Sequence, residues 1–227
     1  MAPSSAQSAL SGIRVLDLSR VLAGPWCTQI LGDFGADVIK VEKPGKGDDT
    51  RAWGPPFLPG DGVGHGAAAY SLCAHRNKRS VTIDFAQPEG AELVRRLAPH
   101  CQVLVENFKT GGLKKYGLDY GAIAKLNPSI VYCSITGFGQ TGPYAHRPGY
   151  DYMIQAIGGL MSLTGEPDGQ PMKSAVAVAD LFTGMHAVSG ILAALRHAER
   201  TGQGQHIDVS LLDCQVAMLA NLGASHL

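Results

Sequence analysis

Short apolar segments alternate with helix-like segments along this chain, and this alternation constrains the fold more than any other feature of the sequence. The pattern begins with a buried strand over residues 13–18 and a helix from Pro25 to about Phe34, which ends at Gly35. A second strand follows over Asp37–Glu42. A strand, a helix and a second strand in this order form a parallel pair joined by a crossover. We therefore predict an α/β domain built on a mainly parallel sheet.

The strand–helix pattern continues to the end of the sequence. We predict further strands over residues 80–85, 102–106, 130–135, 175–179 and 206–209, and helices over 88–97, 119–126, 151–161, 181–195 and 211–222. The predicted fold class is α/β, a Rossmann-like open sheet with helices on both faces. The G-x-G-x-x-G fingerprint of dinucleotide-binding domains is missing, because only Gly24 stands at the first turn.

The composition excludes several classes of protein. The 227 residues carry a formal net charge of zero and no long basic run, so we expect no nucleic acid and no membrane as partners. The five cysteines form no CxxC pair, which favours reduced thiols in the cytoplasm, or in the mitochondrial matrix of a eukaryote. The histidines form no HxxxH or HExxH pattern, so we predict no metal site. No apolar run looks long enough to span a bilayer, and residues 1–12 are interpreted as a flexible leader.

One acidic residue, Asp180, stands between the predicted buried strand 175–179 and the helix 181–195, which is apolar on nearly every side. A carboxylate at the start of a helix commonly caps the free N–H groups there. A carboxylate held ionised at such a joint can also act as a nucleophile, and the residues alone leave both roles open. His186, about two turns further along the helix, is interpreted as a core histidine rather than a general base.

The predicted carboxyl ends of the strands carry polar and aromatic side chains. Ligands of open parallel sheets bind at this edge. Nine cations lie in the connections assigned to it: Lys43, Arg51, Arg76, Lys78, Arg79, Lys109, Lys114, Lys115 and Arg147. Each of them alone is most simply a solvated surface group. Together they predict a site for phosphate groups, with Phe108 offering an apolar face to a nucleotide base.

Ordered sequence blocks connect the chain to a known family. They are IRVLDLSRVLAGP (13–25), LGDFGADVIKVEKP (31–44), NKRS (77–80), VENF (105–108), LNP (126–128), SITGFGQTGP (134–143), PGYD (148–151) and TGQG (201–204). In this order, from about Gly12 to the end, the chain closely resembles the family III CoA-transferases of the CaiB/BaiF type. That family also contains the α-methylacyl-CoA racemases.

The resemblance implies a reaction in which CoA moves between an acyl-CoA and a free carboxylic acid. Asp180 stands at the position of the family's nucleophile, so the resemblance favours the nucleophile over the cap. Its carboxylate would attack the thioester and form a mixed anhydride, and helix N–H groups would keep it charged. No permanently bound cofactor is implied, because the CoA thioester is itself a substrate.

The resemblance also implies a set of CoA contacts. These are Val21, Leu22, Ala23, Lys43, Ile83, Asp84, Phe85, Ala86, Asn107, Phe108, Lys109, Lys115, Arg147, Tyr150 and Asp151. Lys43 and Lys115 stand where family members commonly have arginine, which keeps the charge without the bidentate fork. Leu22 replaces the glutamine of formyl- and oxalyl-transferring members, which argues against an oxalate-type substrate.

Two branches of the family are distinguished at residue 150. The racemases have Gly-His-Asp where this chain has Gly149-Tyr150-Asp151, and a phenol is a poor base at neutral pH. The transferase branch is therefore favoured. Residues 47–57 and 132–143 look most like the succinyl-CoA:dicarboxylate CoA-transferases, such as the succinate–hydroxymethylglutarate type, and Arg51 is a candidate ligand for the second carboxylate. The alternatives are a racemase or epimerase and a catalytically silent CoA-binding fragment.

The resemblance implies a protein longer than this chain. Members have a second small domain, which is absent here, and form homodimers whose chains interlock. We therefore expect residues 13–205 to form the CoA-binding α/β domain and residues 206–227 to begin the connection to a missing second domain. The chain resembles the amino-terminal portion of such a transferase.

Overall fold

A computed structural model describes residues 8–59 and 66–226 of the chain. The strands are β1 (Arg14–Asp17), β2 (Asp37–Glu42), β3 (Lys78–Thr82), β4 (Val103–Glu106), β5 (Val131–Thr136) and β6 (His206–Ser210). Within the described residues they form one six-stranded sheet of order β3-β2-β1-β4-β5-β6, and every neighbouring pair is parallel. The prediction of an α/β fold with a mainly parallel sheet is confirmed.

Helices cover both faces of this sheet. They are α1 (Ala23–Asp33), α2 (Ala69–Leu72), α3 (Pro88–Leu97), α4 (Tyr120–Leu126), α5 (Asp151–Ile157), α6 (Val178–Thr201), α7 (Leu211–Met218) and α8 (Ala220–His226). One core cluster joins one face of the sheet to α1, α5, α6 and α7, and a second joins the other face to α3 and α4. Val103 and Val105 face the first cluster while Leu104 between them faces the second, because successive side chains of a strand alternate.

The strand predicted over residues 175–179 does not form. Residues 171–177 are irregular, Val176 is 54% exposed, and α6 begins at Val178. The small and β-branched residues suit a strand, but the place beside β5 is taken by β6, which pairs with it from His206 to Ser210. The sheet therefore continues past residue 205, where the sequence analysis expects the α/β domain to end.

The sequence suggests that helix α6 is enclosed on nearly every side, but the structure leaves one of its faces exposed. Thr183, Ala187 and Ile191 are fully buried, whereas Met185 is 48% exposed. His186 is exposed as well, so its interpretation as a core histidine is wrong. Helix α6 is therefore a core helix with one exposed face. Its composition is apolar all round, so the sequence does not indicate which face is buried.

The expectation that no apolar run could span a membrane needs a correction. Helix α6 has 24 residues and is long and apolar enough, by length and composition alone, to cross a bilayer. Core helices pass the same test, and one face of α6 packs against α1 and the sheet. Packing inside the domain therefore accounts for its apolar composition.

The amino-terminal segment is described only from Ser8 onward, so residues 1–7 of the predicted leader lie outside the described residues. The Leu10 N–H donates to the Phe34 carbonyl, and the Leu10 side chain packs against the first core cluster. The cysteines are free thiols. Across residues 8–59 and 66–226, no group of three or more His, Cys, Asp or Glu side chains is arranged to hold a metal ion.

Candidate active site

A cavity of about 1180 Å³ opens at the carboxyl ends of the strands. The loops after β1, β2, β4 and β5 form its walls together with Asp180 of α6 and Leu211 of α7. This edge is where ligands of open parallel sheets bind, because several independent loops converge there.

Most of the predicted site residues lie at this cavity. Its lining includes Val21, Leu22, Ala23, Phe85, Asn107, Phe108, Lys109, Lys115, Arg147, Tyr150 and Asp180. Five predicted contacts do not line it: Lys43, Ile83, Asp84, Ala86 and Asp151. Ile83 is buried in the second core cluster, and the Asp84 carboxylate accepts the Ala86 N–H within its own turn. Lys43 is exposed.

The loop after β1 is held in a strained shape by buried charges. Val21 has φ +69°, a left-handed conformation that is costly for a β-branched residue. Its N–H donates to Asp48, which also accepts from Thr50 and pairs with Lys40 at 3.0 Å. The side chains of Asp48 and Lys40 are at most 2% exposed. The ion pair thus fixes the wall of the cavity that Val21 and Leu22 form.

The loop after β4 is tied to the loop after β1 by one amide side chain. Asn107 accepts the Arg20 N–H at 2.8 Å and donates to the Arg20 carbonyl at 2.7 Å. The Arg20 guanidinium lies 5.1 Å from the Phe108 ring centre, and Phe85 meets the same ring edge-on. The carboxyl group of Asn107's neighbour Glu106 accepts the Phe108 N–H at 2.8 Å. The two loops therefore form one rigid wall.

The nine predicted cations fall into three groups: four line the cavity (Arg51, Lys109, Lys115 and Arg147), Lys43 and Lys114 do not line it, and three are paired elsewhere (Arg76, Lys78 and Arg79). Arg20 and Lys46 also line the cavity. The interpretation of Arg76, Lys78 and Arg79 as cavity cations is wrong, because they pair with Asp33, Asp17 and Asp37 respectively. Since Asp33 closes α1 and Asp37 opens β2, Arg76 and Arg79 lie near the opposite, amino edge of the sheet.

Arg51, the candidate ligand for a second carboxylate, already has a carboxylate partner. Its guanidinium makes two 2.8 Å hydrogen bonds to the two oxygens of Glu42. Burial opposes ionisation of Glu42, but Arg51, Ser80 and the Asp48 N–H lower its pKa to about 2. Arg51 still lines the cavity, so a substrate would meet a guanidinium whose charge is partly neutralised.

Asp180 is the third residue of α6 and does not cap the helix. The cap comes from α5: one oxygen of Asp151 accepts the N–H groups of Ala179 at 2.8 Å and Asp180 at 3.2 Å. No cation pairs with Asp180 within residues 8–59 and 66–226. Burial and the negative charge of Asp151 raise the pKa of Asp180 from 3.8 to about 7. The helix N–H groups expected to keep this carboxylate charged donate instead to Asp151, so at neutral pH Asp180 is ionised only in part.

Several lining residues were not predicted from the sequence. Trp53, Thr110 and Tyr116 belong to them. Trp53 lies on an irregular connection and Tyr116 ends a short 3-10 helix (Lys114–Tyr116), and neither segment has a periodicity that indicates where its side chain points. Gly149 also lines the cavity, within the segment from Arg147 to Asp151 for which the resemblance implies CoA contacts. Its Cα lies so close to Gly137 that a Cβ on Gly149 would be 2.4 Å from the Gly137 Cα.

The fold and the cavity define an α/β domain of the open parallel-sheet class, with an extended cation-lined site at the carboxyl edge and a carboxyl group within it. The model of CoA-transferase family III matches residues 10–227. The chain belongs to this family, whose members use CoA thioesters as substrates.

Named relatives agree with this assignment. A succinate–glutarate CoA-transferase of Agrobacterium fabrum is 61% identical over 218 residues, which are 96% of this chain and 54% of the relative. A human succinyl-CoA:glutarate CoA-transferase is 47% identical over 96% of this chain and 48% of the relative. A crystal structure of a CaiB/BaiF family protein from Brucella suis superposes with a TM-score of 0.93 at 56% identity, over 97% of this chain and 57% of that one. The chain thus spans about half the length of the curated relatives it matches.

Proposed function

We propose that the protein is a CoA-transferase that moves CoA between an acyl-CoA and a free carboxylic acid through a covalent intermediate on Asp180. One observation carries this proposal: a carboxyl group that lacks a cationic partner among the described residues opens into a cavity lined by cations. The basic side chains suit the phosphates of CoA, and the aromatic wall around Phe108 suits its base. A pKa of about 7 makes Asp180 a more basic nucleophile than an ordinary carboxylate.

The reaction divides into balanced exchanges. An oxygen of Asp180 attacks the thioester carbonyl, the C–S bond breaks, and CoA leaves as thiolate while a mixed anhydride forms. The thiolate then attacks the Asp180 carbonyl, which releases the first acid and leaves an aspartyl-CoA thioester. The acceptor carboxylate displaces the thiolate again, and attack of the thiolate on the acceptor's acyl carbon gives the new acyl-CoA and free Asp180. A thioester replaces a thioester, so the reaction needs no outside energy source.

The acyl donor we infer is succinyl-CoA or another dicarboxylyl-CoA. Support comes from the relatives, several of which are named as succinyl-CoA-dependent transferases acting with glutarate, malate or mesaconate. Leu22 at the cavity wall offers no hydrogen bond to an oxalyl group. Arg51, held by Glu42, remains the candidate for the distal carboxylate.

Further properties belong to the same proposal. The whole protein would act as an interlocked homodimer in the cytoplasm, or in the mitochondrial matrix of a eukaryote. It would bind no permanent cofactor, metal, nucleic acid or membrane. The α/β domain would extend beyond residue 205, because β6 completes its sheet and α7 packs in its core, and the residues after α7 would begin the connection to the second domain.

The test is mass spectrometry of the protein, expressed as the full natural reading frame that contains this chain. It is incubated with succinyl-CoA and a panel of dicarboxylic acids, with and without hydroxylamine. We expect a succinyl or CoA adduct on Asp180 that an acceptor acid discharges, and no adduct in Asp180→Asn. Deuterium uptake at the α-carbon of a 2-methylacyl-CoA without an acceptor acid would instead identify a racemase. Binding of CoA with no exchange for any acid would identify a silent binding module.

A further inference from the structure

The first turn of α6 is held from outside by two side chains of α5. Asp151 accepts the Ala179 and Asp180 N–H groups with one oxygen, at 2.8 and 3.2 Å. Its other oxygen accepts from the Gln155 side-chain amide at 2.7 Å. Because Asp151 and Gln155 stand one turn apart on the same helix, they present a single rigid surface to α6.

Gln155 extends the same attachment to the segment before α6. Its side chain is fully buried, its amide oxygen accepts the Ser174 N–H at 2.8 Å, and its amide nitrogen reaches the Val176 carbonyl at 3.3 Å. Residues 171–177 have no regular secondary structure. The Gln155 amide therefore supplies hydrogen bonds that a strand or helix would otherwise provide.

We propose that Asp151 and Gln155 are a positioning pair for the nucleophile, which aims the Asp180 carboxylate into the cavity and places a fixed negative charge behind it. This inference rests on the proposed function of Asp180. It replaces the contact with CoA that the family resemblance implies for Asp151, since Asp151 does not line the cavity and both of its oxygens are occupied within the protein.

The charge of Asp151 also bears on the reaction itself. Attack on the thioester converts the Asp180 carboxylate into a neutral anhydride, so repulsion between the two carboxylates disappears in the step that forms the intermediate. Among the described residues, the titratable groups that interact with Asp180 are Asp151 from α5 and Tyr70 from α2. Burial and then Asp180 raise the pKa of Tyr70 to about 12, so Tyr70 is neutral at working pH. Asp151 is thus the charge that acts on the nucleophile.

The experiment compares Asp151→Ala, Asp151→Asn and Gln155→Met with a control, Asp119→Asn. Asp119 is also an acidic N-cap residue, of α4, but its side chain makes no capping hydrogen bond. We expect Asp151→Ala to lower kcat on the order of 100-fold, with the KM for acyl-CoA changed less than about threefold. Asp151→Asn keeps an acceptor oxygen and should recover about tenfold of that loss. Gln155→Met should lower kcat about tenfold, and the control should leave both constants unchanged.

A second readout does not depend on turnover. With ¹³C-labelled aspartate, and Asp180→Asn to assign the signal, the titration of Asp180 should move to lower pH by about one unit in Asp151→Asn. An unchanged titration in that variant overturns the proposal. So does a raised KM with unchanged kcat, which would restore Asp151 as a CoA contact. If Asp180→Asn retained activity the proposed function would fail, while the titration would still decide whether Asp151 acts on Asp180.

Discussion

Gly184 of α6 lies directly against Ala23 of α1. A Cβ added to Gly184 would be 2.8 Å from the Ala23 carbonyl oxygen and 2.9 Å from a ring carbon of Trp26. Ala23 lines the cavity, and Gly184 lies about one turn beyond Asp180 on α6. The packing of these two helices therefore sets the distance between Asp180, the proposed nucleophile, and the cavity wall formed by the loop after β1.

Gly184→Ala should separate α1 from α6, because backbone atoms at 2.8 Å cannot yield without moving a helix. We expect the free energy of unfolding to fall by about 1–3 kcal/mol and kcat to fall with it. Urea unfolding and steady-state kinetics measure the two effects. Gly190→Ala on the same helix is the matched control, since its Cβ would meet only the Ile207 side chain, at 3.2 Å. Equal effects of the two substitutions would contradict this interpretation.

Because the pKa of Asp180 is raised in the folded protein, ionisation of this carboxyl group should destabilise the folded state. In the folded protein burial and Asp151 raise this pKa to about 7, against 3.8 for an ordinary aspartate. The folded state therefore binds more protons than the unfolded state between these values, and its stability declines as the pH rises through about 7. Asp180→Asn removes this titration, so the variant should be more stable than the parent at pH 8 by at most about 4 kcal/mol.

The measurement is urea unfolding of both proteins at pH 5 and pH 8. The stability difference between variant and parent should be smaller at pH 5, where the parent carboxyl is largely protonated. A difference that is the same at both values would mean that Asp180 is ionised throughout, and that its pKa is not raised.

The fold was predictable from the sequence because local pattern decides it, whereas the site depended on contacts that no local pattern contains. The strand–helix alternation correctly indicates the parallel sheet, and Pro88 marks the start of α3. Residues 175–179 have the composition of a strand, yet β6 takes the place beside β5, and the Gln155 side chain binds the Ser174 N–H and the Val176 carbonyl instead. The partner of Lys78 is Asp17, 61 positions away, so the sequence could not distinguish a buried ion pair from a phosphate ligand.

Lys78→Met should be strongly destabilising, because Lys78 and Asp17 form a buried pair at 3.0 Å with side chains at most 2% exposed. Burial opposes ionisation of Asp17, but Lys78 and Lys40 hold its pKa below the usual range. We expect a loss of about 3–5 kcal/mol at pH 7. Asp17 contributes stability above its unfolded pKa of 3.8, and this contribution is lost as the pH falls toward its folded pKa.

Chemical denaturation of the variant at pH 7 and pH 4 checks this prediction. Arg79→Met is the control, because Arg79 pairs with Asp37 on the surface with its side chain 68% exposed, and its loss should change stability little. A Lys78 variant as stable as this control would show that the buried pair contributes nothing.

Glu106 should govern the affinity for CoA through Phe108. It is 6% exposed, and burial raises its pKa to about 7 although the Ser134 hydroxyl and the Phe108 N–H act in the opposite direction. Glu106→Leu leaves the Phe108 N–H without its acceptor, so we expect the KM for acyl-CoA to rise about tenfold. Glu106→Gln keeps an acceptor and should change KM less than about threefold. Equal KM values for the two variants would mean that the hydrogen bond from the Phe108 N–H to Glu106 does not affect CoA binding.

Lys115 and Lys43 should behave differently toward CoA, because only Lys115 lines the cavity. Lys115 lines it with its ammonium group 4.7 Å from the Tyr116 ring centre, whereas Lys43 is exposed outside the lining. Lys115→Gln should raise the Kd for CoA about tenfold, because a charge-assisted hydrogen bond to phosphate is lost. Lys43→Gln should leave the Kd unchanged. Calorimetric titration at two ionic strengths measures both, and the salt dependence of binding should weaken in the Lys115 variant alone. A larger increase in Kd for Lys43→Gln than for Lys115→Gln would contradict this prediction, because it would mean that Lys43 binds the phosphates of CoA.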